Sequence, residues 1–182
     1  TKLSNYIMGS DKIYEGTIHL GIATDSQDAQ GRVLAEKDAS GITEEQLRTT
    51  VKAFTGDMMQ TPPMVSAIKI EGVPLYKRAR KGEVVEREPR LIHVYDFTLL
   101  TFTPPTATFR IHCTKGTYVR TVCADIGEKL GCGAHLSQLR RTASGKLKLA
   151  DAVPMEQIRT MDRAALIEKL IPMARMAALL QA

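Results

Sequence analysis

Residues 113–145 read CTKGTYVRTVCADIGEKLGCGAHLSQLRRTASG, and the kind of fold is decided within them. An alternating strand pattern over residues 107–114 leads into this stretch. Apolar residues then recur at the helical spacings of three and four: Val119, Val122, Ile126 and Leu130. Gly131 is placed to end that helix. Strand patterns mixed with helices, without a regular βαβ alternation, continue along the chain, so we expect an α+β domain.

Tyr118 and Arg120 lie where the strand pattern gives way to the helix. A cation is unfavourable in the first turn of a helix, because the backbone dipole is positive at that end. Arg120 is therefore expected to have an anionic partner, such as a carboxylate or a phosphate.

The composition is that of a folded protein with a mildly basic surface. Of the 182 residues 43% are hydrophobic, and the formal net charge is +5. Three cysteines lack the short paired spacing of a zinc site and are expected to be reduced, buried thiols: Cys113, Cys123 and Cys132. No apolar run reaches membrane-spanning length and no signal peptide opens the chain, so we expect a cytoplasmic protein without a membrane span.

Other patterns predict the remaining elements. Tyr14 lies on the apolar face of an alternating strand, and Thr43 with Gln46 forms a capping box that predicts a helix to about residue 54. The first eight residues resemble the middle or end of a helix, so we expect residues before position 1. Further strands are predicted near 31–34, at 64–70 and at 91–100, with a turn at 71–74 and helices at 155–159, 163–170 and 172–180.

Positive charge is concentrated in two short stretches. Four cations fall within five residues, namely Lys77, Arg78, Arg80 and Lys81, and Arg140-Arg141 forms a second cluster. Such clusters supply the salt-dependent phosphate contacts of nucleic-acid-binding proteins. A solvated surface is the alternative for either cluster alone, but two of them beside a strand-rich core favour nucleic-acid binding.

Asp25 and Asp28 lie in a polar loop, TDSQDAQG, at residues 24–31. Their spacing is too sparse for a calcium loop and no glutamate closes it, so a turn held by side-chain caps is favoured over a metal site. The four histidines are scattered and form no ligand pair. We therefore expect no bound metal.

Three long segments resemble the TruB family of tRNA pseudouridine synthases. Residues 11–31, DKIYEGTIHLGIATDSQDAQG, resemble the family's tyrosine followed by LGxxTDTxDxxG. Residues 60–82, QTPPMVSAIKIEGVPLYKRARKG, resemble PPxxSAxKxxGxxLYxxARxG, and residues 113–145 resemble KGTYxRxLxxDxGxxLGxxAHxxxLRRTxxG. These segments occur in the family's order and span nearly the whole chain, so chance does not account for the match.

The resemblance implies part of a pseudouridine synthase catalytic domain, with a mixed, largely antiparallel sheet flanked by helices. It also implies that a T-loop uridine of tRNA, at position 55, is isomerised to pseudouridine without a cofactor. An aspartate would attack the flipped-out nucleotide, the glycosidic N–C bond would break, the uracil would turn, and a C–C bond would form. The expected partner is the T-arm of tRNA, bound by a monomer.

The resemblance further implies roles for single residues. Tyr14 matches the tyrosine that stacks on the uracil and assists proton removal, and Arg120 matches the arginine that pairs with the nucleophilic aspartate. Tyr118 and Leu139 match residues that line the pocket, and Asp25 matches a loop residue near the substrate. The positions where the family meets RNA are Lys69, Lys77, Arg78, Arg80, Lys81, Lys115, Arg140 and Arg141.

In the terms of that family, residues 1–150 are a portion of the catalytic domain, with an RNA-contacting insertion at 61–90, and residues 151–182 are a helical C-terminal extension. The family's nucleophile lies in a GHxGTLDPxAxG motif, which residues 1–182 do not contain. Its C-terminal RNA-binding domain is not matched either. Two interpretations stay open: a fragment of an active synthase, inactive alone for lack of the aspartate, or a non-catalytic tRNA-binding or tRNA-folding protein of the same fold. A structural subunit of a ribonucleoprotein fits the motifs less well.

Overall fold

The structure is a computed structural model and describes residues 4–181. Six strands form its main sheet: β1 (Lys12–Leu20), β4 (Gly56–Gln60), β7 (Arg90–Thr103), β8 (Thr106–Cys113), β9 (Ala134–Ser144) and β10 (Leu147–Lys148). They lie in the order β10-β9-β1-β8-β7-β4, and every neighbouring pair is antiparallel. Two small hairpins accompany the sheet: β2 (Ile22–Thr24) with β3 (Val33–Glu36), and β5 (Lys69–Ile70) with β6 (Val73–Pro74).

Helices lie between the strands and after them: α1 (Ser4–Gly9), α2 (Glu44–Lys52), α3 (Leu75–Ala79), α4 (Val119–Lys129), α5 (Met155–Thr160), α6 (Arg163–Lys169) and α7 (Met173–Gln181). Both α2 and α4 pack against the sheet and contribute buried side chains to one hydrophobic core. The expected α+β fold, with a largely antiparallel sheet flanked by helices, is confirmed. Among residues 4–181, none of these helices is long and apolar enough to cross a membrane.

The core side of β8 follows the predicted alternation. Its inward side chains are fully or almost fully buried: Ala107, Phe109, Ile111 and Cys113. Phe109 packs over Gly16 of the neighbouring strand β1, where an added Cβ would come within 2.6 Å of the ring. A glycine at position 16 is therefore required by the close approach of the two strands.

The helix predicted after residue 118 is α4, and it packs along β9. Its glycine at position 127 lies so close to Ala134 that an added Cβ would be 2.2 Å from the Ala134 backbone nitrogen. Gly131 follows the C-cap residue with a φ of +78°, as predicted for the end of this helix. The capping box of Thr43 and Gln46 is also confirmed at the start of α2.

The strand predicted over residues 64–70 was wrong except for its last two residues, which form β5. Backbone carbonyls before β5 bond the start of α3 instead of a neighbouring strand: Ser66 accepts from Tyr76 N–H at 3.0 Å, and Ile68 accepts from Leu75 N–H at 2.8 Å. The turn predicted at 71–74 is confirmed for Glu71 and Gly72, which both have positive φ, whereas Val73 and Pro74 form strand β6.

The segment between β4 and β7 leaves the sheet and returns to it at one place. Gln60 and Arg90 are paired across the β4–β7 ladder, so residues 61–89 begin and end side by side. This segment carries the small β5–β6 hairpin and α3. The predicted helical stretches after Asp151 correspond to α5, α6 and α7, and neither α5 nor α6 buries a residue.

All three cysteines are free and buried, as expected. Burial raises the pKa of the Cys113 thiol to about 11 and raises the pKa of Cys123 still further. Both are neutral thiols at physiological pH, which makes them packing residues and poor nucleophiles.

Candidate active site

A cleft of about 400 Å³ opens where β1, β9, the loop after β2 and the first turn of α4 meet. Four of the residues assigned to the pocket by sequence lie together on its walls: Tyr14, Tyr118, Arg120 and Leu139. Asp28 and its neighbours Ala29 and Gln30 also line the cleft. The cleft therefore combines two aromatic rings, an exposed leucine and an ion pair.

Arg120 has the anionic partner that its place on the helix demands. Its Nη1 donates to Asp28 Oδ2 at 2.9 Å, and its Nη2 donates to the Val65 carbonyl. The side chains are only 19% and 28% exposed for Arg120 and Asp28, so the pair is largely shielded from water. The guanidinium is thereby held in the wall of the cleft, between the loop after β2 and residues that follow β4.

Asp28 is kept ionised by its surroundings. Burial raises the pKa of its carboxyl, but hydrogen bonds from the Ser26 hydroxyl, Arg120 and the Gln30 N–H outweigh this, and the pKa is lowered overall. The bonds from Ser26 Oγ and Gln30 N measure 2.6 and 3.1 Å to Oδ1. The prediction that this loop is a turn held by side-chain caps is therefore confirmed, and Asp28 has a second role as the partner of Arg120.

Asp25 does not line the cleft, and its place near the substrate stays a prediction. Its Oδ1 accepts from the Arg32 N–H at 2.9 Å, so the carboxylate is used to close the loop on itself. Asp28 lies in the same TDSQDAQG motif and occupies the place in the cleft instead. Sequence reasoning missed it because its capping role gave a sufficient explanation by itself.

Tyr14 is half-buried on β1, opposite Arg141 of β9. Burial and the nearby Cys113 raise the pKa of its hydroxyl, and a hydrogen bond and the charge of Arg141 oppose them without reversing the direction. The phenol is therefore protonated at physiological pH. Its ring can stack on a base, and its hydroxyl can donate a hydrogen bond.

Tyr118 is the N-cap residue of α4, and its backbone is held from outside the helix. The amide of Gln60 bonds both of its backbone groups: Tyr118 N–H donates to Oε1 at 2.8 Å, and Nε2 donates to the Tyr118 carbonyl at 3.1 Å. The Tyr118 ring lies with its centroid 5.9 Å from the Arg120 guanidinium carbon. Gln60 was not singled out from the sequence, where a buried amide at the end of a strand has no distinctive signal.

Two family models match this chain in succession. The TruB family pseudouridylate synthase N-terminal domain covers residues 1–119, and the tRNA pseudouridylate synthase B C-terminal domain covers residues 120–178. The chain belongs to the TruB family. The junction between the two matched segments falls between Val119 and Arg120, inside the first turn of α4.

Curated relatives agree with this membership. A protein of Opitutus terrae named tRNA pseudouridine synthase B is 54% identical over 94% of this chain and 71% of its own length. The protein of that name from Pseudomonas aeruginosa is 48% identical over 87% of this chain and 52% of its own. The chain thus spans about half the length of several curated TruB relatives that it matches, and somewhat more of the first.

Solved structures share the fold at lower identity. The crystal structure of a Cbf5-Nop10-Gar1 complex matches with a TM-score of 0.71 and 23% identity, over 98% of this chain and 46% of that chain. An H/ACA RNP bound to a substrate RNA containing 2'-deoxyuridine matches with a TM-score of 0.62 and 20% identity, over 97% and 42%. These likenesses concern the fold alone.

The cations that are expected from the TruB resemblance to meet RNA do not all have the same surroundings. Lys77, Arg80 and Lys81 are exposed on and just after α3, with Arg80 stacked 5.5 Å over the Tyr76 ring. Arg78 is different, because its Nη2 donates to Glu71 Oε2 at 2.8 Å and to the Ile70 carbonyl at 3.3 Å. Its side chain is only 20% exposed, so it holds the β5–β6 hairpin to α3.

Arg140 and Arg141 are separated by the alternation of β9. Arg141 lies opposite Tyr14, whereas Arg140 lies opposite Glu15 and lines a groove on the other side of the sheet. Both are exposed, as are Lys69 on β5 and Lys115 before α4. Within residues 4–181, no group of three or more His, Cys, Asp or Glu side chains is arranged to hold a metal ion.

Proposed function

We propose that residues 1–182 form the larger part of the catalytic domain of a tRNA pseudouridine synthase, which isomerises the uridine at position 55 of the T-loop. The observation that carries this proposal is the cleft in which the Arg120–Asp28 ion pair adjoins Tyr14, Tyr118 and Leu139. Such a cleft suits a base that has been turned out of its stack, since two rings and a leucine can hold its faces while a fixed cation stands at its edge.

The reaction needs a carboxylate nucleophile, which the family carries in its GHxGTLDPxAxG motif. That carboxylate would attack the flipped nucleotide, and the N1–C1′ bond would break. The freed uracil anion would turn and form a bond from C5 to C1′ as the carboxylate leaves C1′, after which C5 loses a proton and N1 gains one. Atoms and charge balance without a cofactor, so the protein needs to supply only position, charge and proton transfer.

Arg120 is assigned the role of holding the nucleophilic aspartate. A guanidinium stays charged at every relevant pH and can bond two carboxylates in different directions. With Asp28 on one side, it can hold the incoming nucleophile ionised and aimed on the other. Tyr14 would stack on the uracil. Because its hydroxyl is protonated, it would have to donate its own proton before it could accept another.

Binding of the T-arm is assigned to the exposed cations. Lys77, Arg80 and Lys81 are free to meet phosphates, and Lys69, Lys115 and Arg141 would extend the contact towards the cleft. Phosphate contacts of this kind fix the register of the RNA and make its affinity fall with salt. Arg78 is expected to contribute less, because it is already paired with Glu71, and so is Arg140, because it lies across the ladder from Glu15 and lines a groove on the other side of the sheet. We further propose that the protein acts in the cytoplasm as a monomer.

Tritium release from uracil-labelled tRNA tests the proposal. Residues 1–182 alone should bind tRNA weakly and release no tritium, because none of their carboxylates lies in the GHxGTLDPxAxG setting. Fusion of a GHxGTLDPxAxG segment at the N-terminus should give turnover, and the same segment as a separate peptide should give less, since a tether raises effective concentration. Turnover by residues 1–182 alone would show that the nucleophile is misplaced. Tight tRNA binding without turnover in the fusion would favour the non-catalytic tRNA-binding alternative.

A further inference from the structure

Gln60 is the last residue of β4, and it is only 5% exposed although its side chain is polar. Both bonds of its amide go to the backbone of Tyr118. We infer that Gln60 is a positioning residue for the reaction proposed above: it fixes the backbone of Tyr118 and, through it, the side chains of Tyr118 and Arg120 in the cleft. The inference rests on the proposed function, although the contact itself does not.

The backbone at Tyr118 needs an outside partner. Its N–H precedes the first helical turn and so has no intrahelical acceptor, and the Tyr118 side chain makes no capping bond. A buried N–H without a partner costs about 1–3 kcal/mol. Gln60 Oε1 supplies the acceptor. The Gln60 amide also adds a donor to a carbonyl that already accepts from Thr121 and Val122 in the first turn of α4.

A primary amide suits this place because it donates and accepts at once. Glutamate of the same length accepts but cannot donate when ionised, and methionine of similar length does neither. Asparagine has the right groups on a side chain one methylene shorter. The two bonds therefore specify both the chemistry and the reach of residue 60.

Arg120 is two residues beyond Tyr118, so a shift of the Tyr118 backbone moves the guanidinium as well as the ring. Arg120 is further fixed at its tip by Asp28 and by the Val65 carbonyl. Val65 belongs to the segment that begins directly after Gln60. Residues 60–65 thus support the start of α4 at two points, one at its backbone and one at its catalytic side chain. Displacements near 1 Å can cost an enzyme about a hundredfold in rate.

The same residue lies at the base of the segment that carries the RNA-facing cations. Gln60 pairs with Arg90 where residues 61–89 leave and rejoin the sheet. The main chain of Gln60 therefore attaches that segment to the sheet, while its side chain bonds the backbone of Tyr118 beside the cleft. The position of residues 61–89 on the RNA is in this way tied to the geometry of the reacting groups.

The test compares Gln60→Met and Gln60→Glu with the wild type in the full-length synthase, under single-turnover conditions with enzyme saturating tRNA. Both variants should react at least about tenfold more slowly, with the Kd for tRNA within about twofold of wild type. The matched control is Thr50→Val, which removes a buried polar group of α2 away from the cleft. It should leave the single-turnover rate unchanged even where it lowers the melting temperature.

Hydrogen exchange in the same proteins reports the contact directly. The Tyr118 amide should exchange about tenfold faster in Gln60→Met, while the Ile126 amide in the middle of α4 keeps its protection. A Gln60→Met protein that reacts at the wild-type rate, or that slows only in proportion to weaker tRNA binding, would overturn the inference, as would unchanged exchange at Tyr118. If Gln60→Met does not fold, Gln60→Glu decides by its single-turnover rate and its Kd for tRNA, because its carboxylate still accepts from the Tyr118 N–H and leaves the exchange of that amide unchanged. A wild-type protein that makes no pseudouridine would refute the proposed function and leave the exchange comparison intact.

Discussion

Arg120 and Asp28 form an ion pair of 2.9 Å that joins the first turn of α4 to the loop after β2. Each residue supplies the opposite charge that the surroundings of the other require. The arginine lies at the positive end of a helix and needs an anion, and the carboxylate is partly buried and needs a cation. The pair brings together two motifs that are 92 positions apart in the sequence.

Asp28→Asn should slow single-turnover pseudouridine formation in the full-length synthase by at least about tenfold. The amide keeps the size of the side chain, but Arg120 loses the charge that holds it in place. Asp25→Asn is the matched control, because Asp25 belongs to the same loop and does not line the cleft. Equal effects of the two substitutions would mean that the loop, and not the ion pair, is what matters.

Tyr14→Phe should bind tRNA nearly as well as the wild type and react more slowly. The ring that stacks on the base is kept, and the hydroxyl available for proton transfer is lost. Tyr14→Leu should weaken both binding and reaction. Rates and Kd values measured separately distinguish these effects, and a Phe variant with the wild-type rate would leave the hydroxyl without a chemical role.

Replacing Lys77, Arg80 and Lys81 by alanine should flatten the salt dependence of tRNA binding. If each meets one phosphate of a single-stranded loop, the log–log slope should fall by about 2. Arg78→Ala should change the slope less, because Arg78 is already paired with Glu71. Glu71→Gln is the complementary variant: it frees Arg78 and should raise affinity slightly. A slope unchanged by the triple substitution would show that these cations are only a solvated surface.

Asp125→Asn should stabilise the protein at neutral pH but not in acid. Burial, and then the nearby Glu128, raise the pKa of Asp125 to about 6. The folded state therefore holds this proton more tightly than the unfolded chain, and stability falls as pH rises from about 4 to about 6. Since the residue is partly exposed, a gain of about 1 kcal/mol is expected at pH 7.5. Urea unfolding at pH 4 and 7.5 measures it, and an equal gain at both values would contradict the assignment.

Gly127→Ala should destabilise the fold by about 1–3 kcal/mol, because its methyl group would overlap the backbone of Ala134. Gly41→Ala is the matched control, since a Cβ at position 41 would meet nothing within 4 Å. Thermal unfolding of both variants measures the difference. A Gly127→Ala protein as stable as the control would mean that α4 can move away from β9 at little cost.

Residues whose role depends on one element could be predicted from the sequence. Tyr14 was placed in the pocket only by its resemblance to the TruB family. From local pattern alone, the need of Arg120 for an anionic partner was predicted, because a helix start is a local feature. Asp28 was not predicted as that partner, since its ion pair depends on how a loop meets a helix 92 positions away. The strand at residues 64–70 failed for a similar reason: its apolar residues suit a strand, but no neighbouring strand is there to pair with most of them.

The arginine pair of β9 shows the same limit on a smaller scale. Arg140 and Arg141 were grouped as one basic cluster, and the strand that separates them was not predicted. Once β9 is known, alternation assigns the two side chains to opposite sides of the sheet without further information. What could not be predicted was that residues 134–144 form a strand, because their buried residues follow no clear period.

The pairing of Gln60 with Arg90 has a consequence for how such proteins can diverge. Because residues 61–89 start and finish at one rung of an edge ladder, they can be lengthened, shortened or exchanged for a different loop without shifting any other strand. A chimaera that receives this segment from a relative should therefore keep its sheet intact while acquiring the donor's preference among RNA stem-loops, provided that residue 60 still reaches the start of α4.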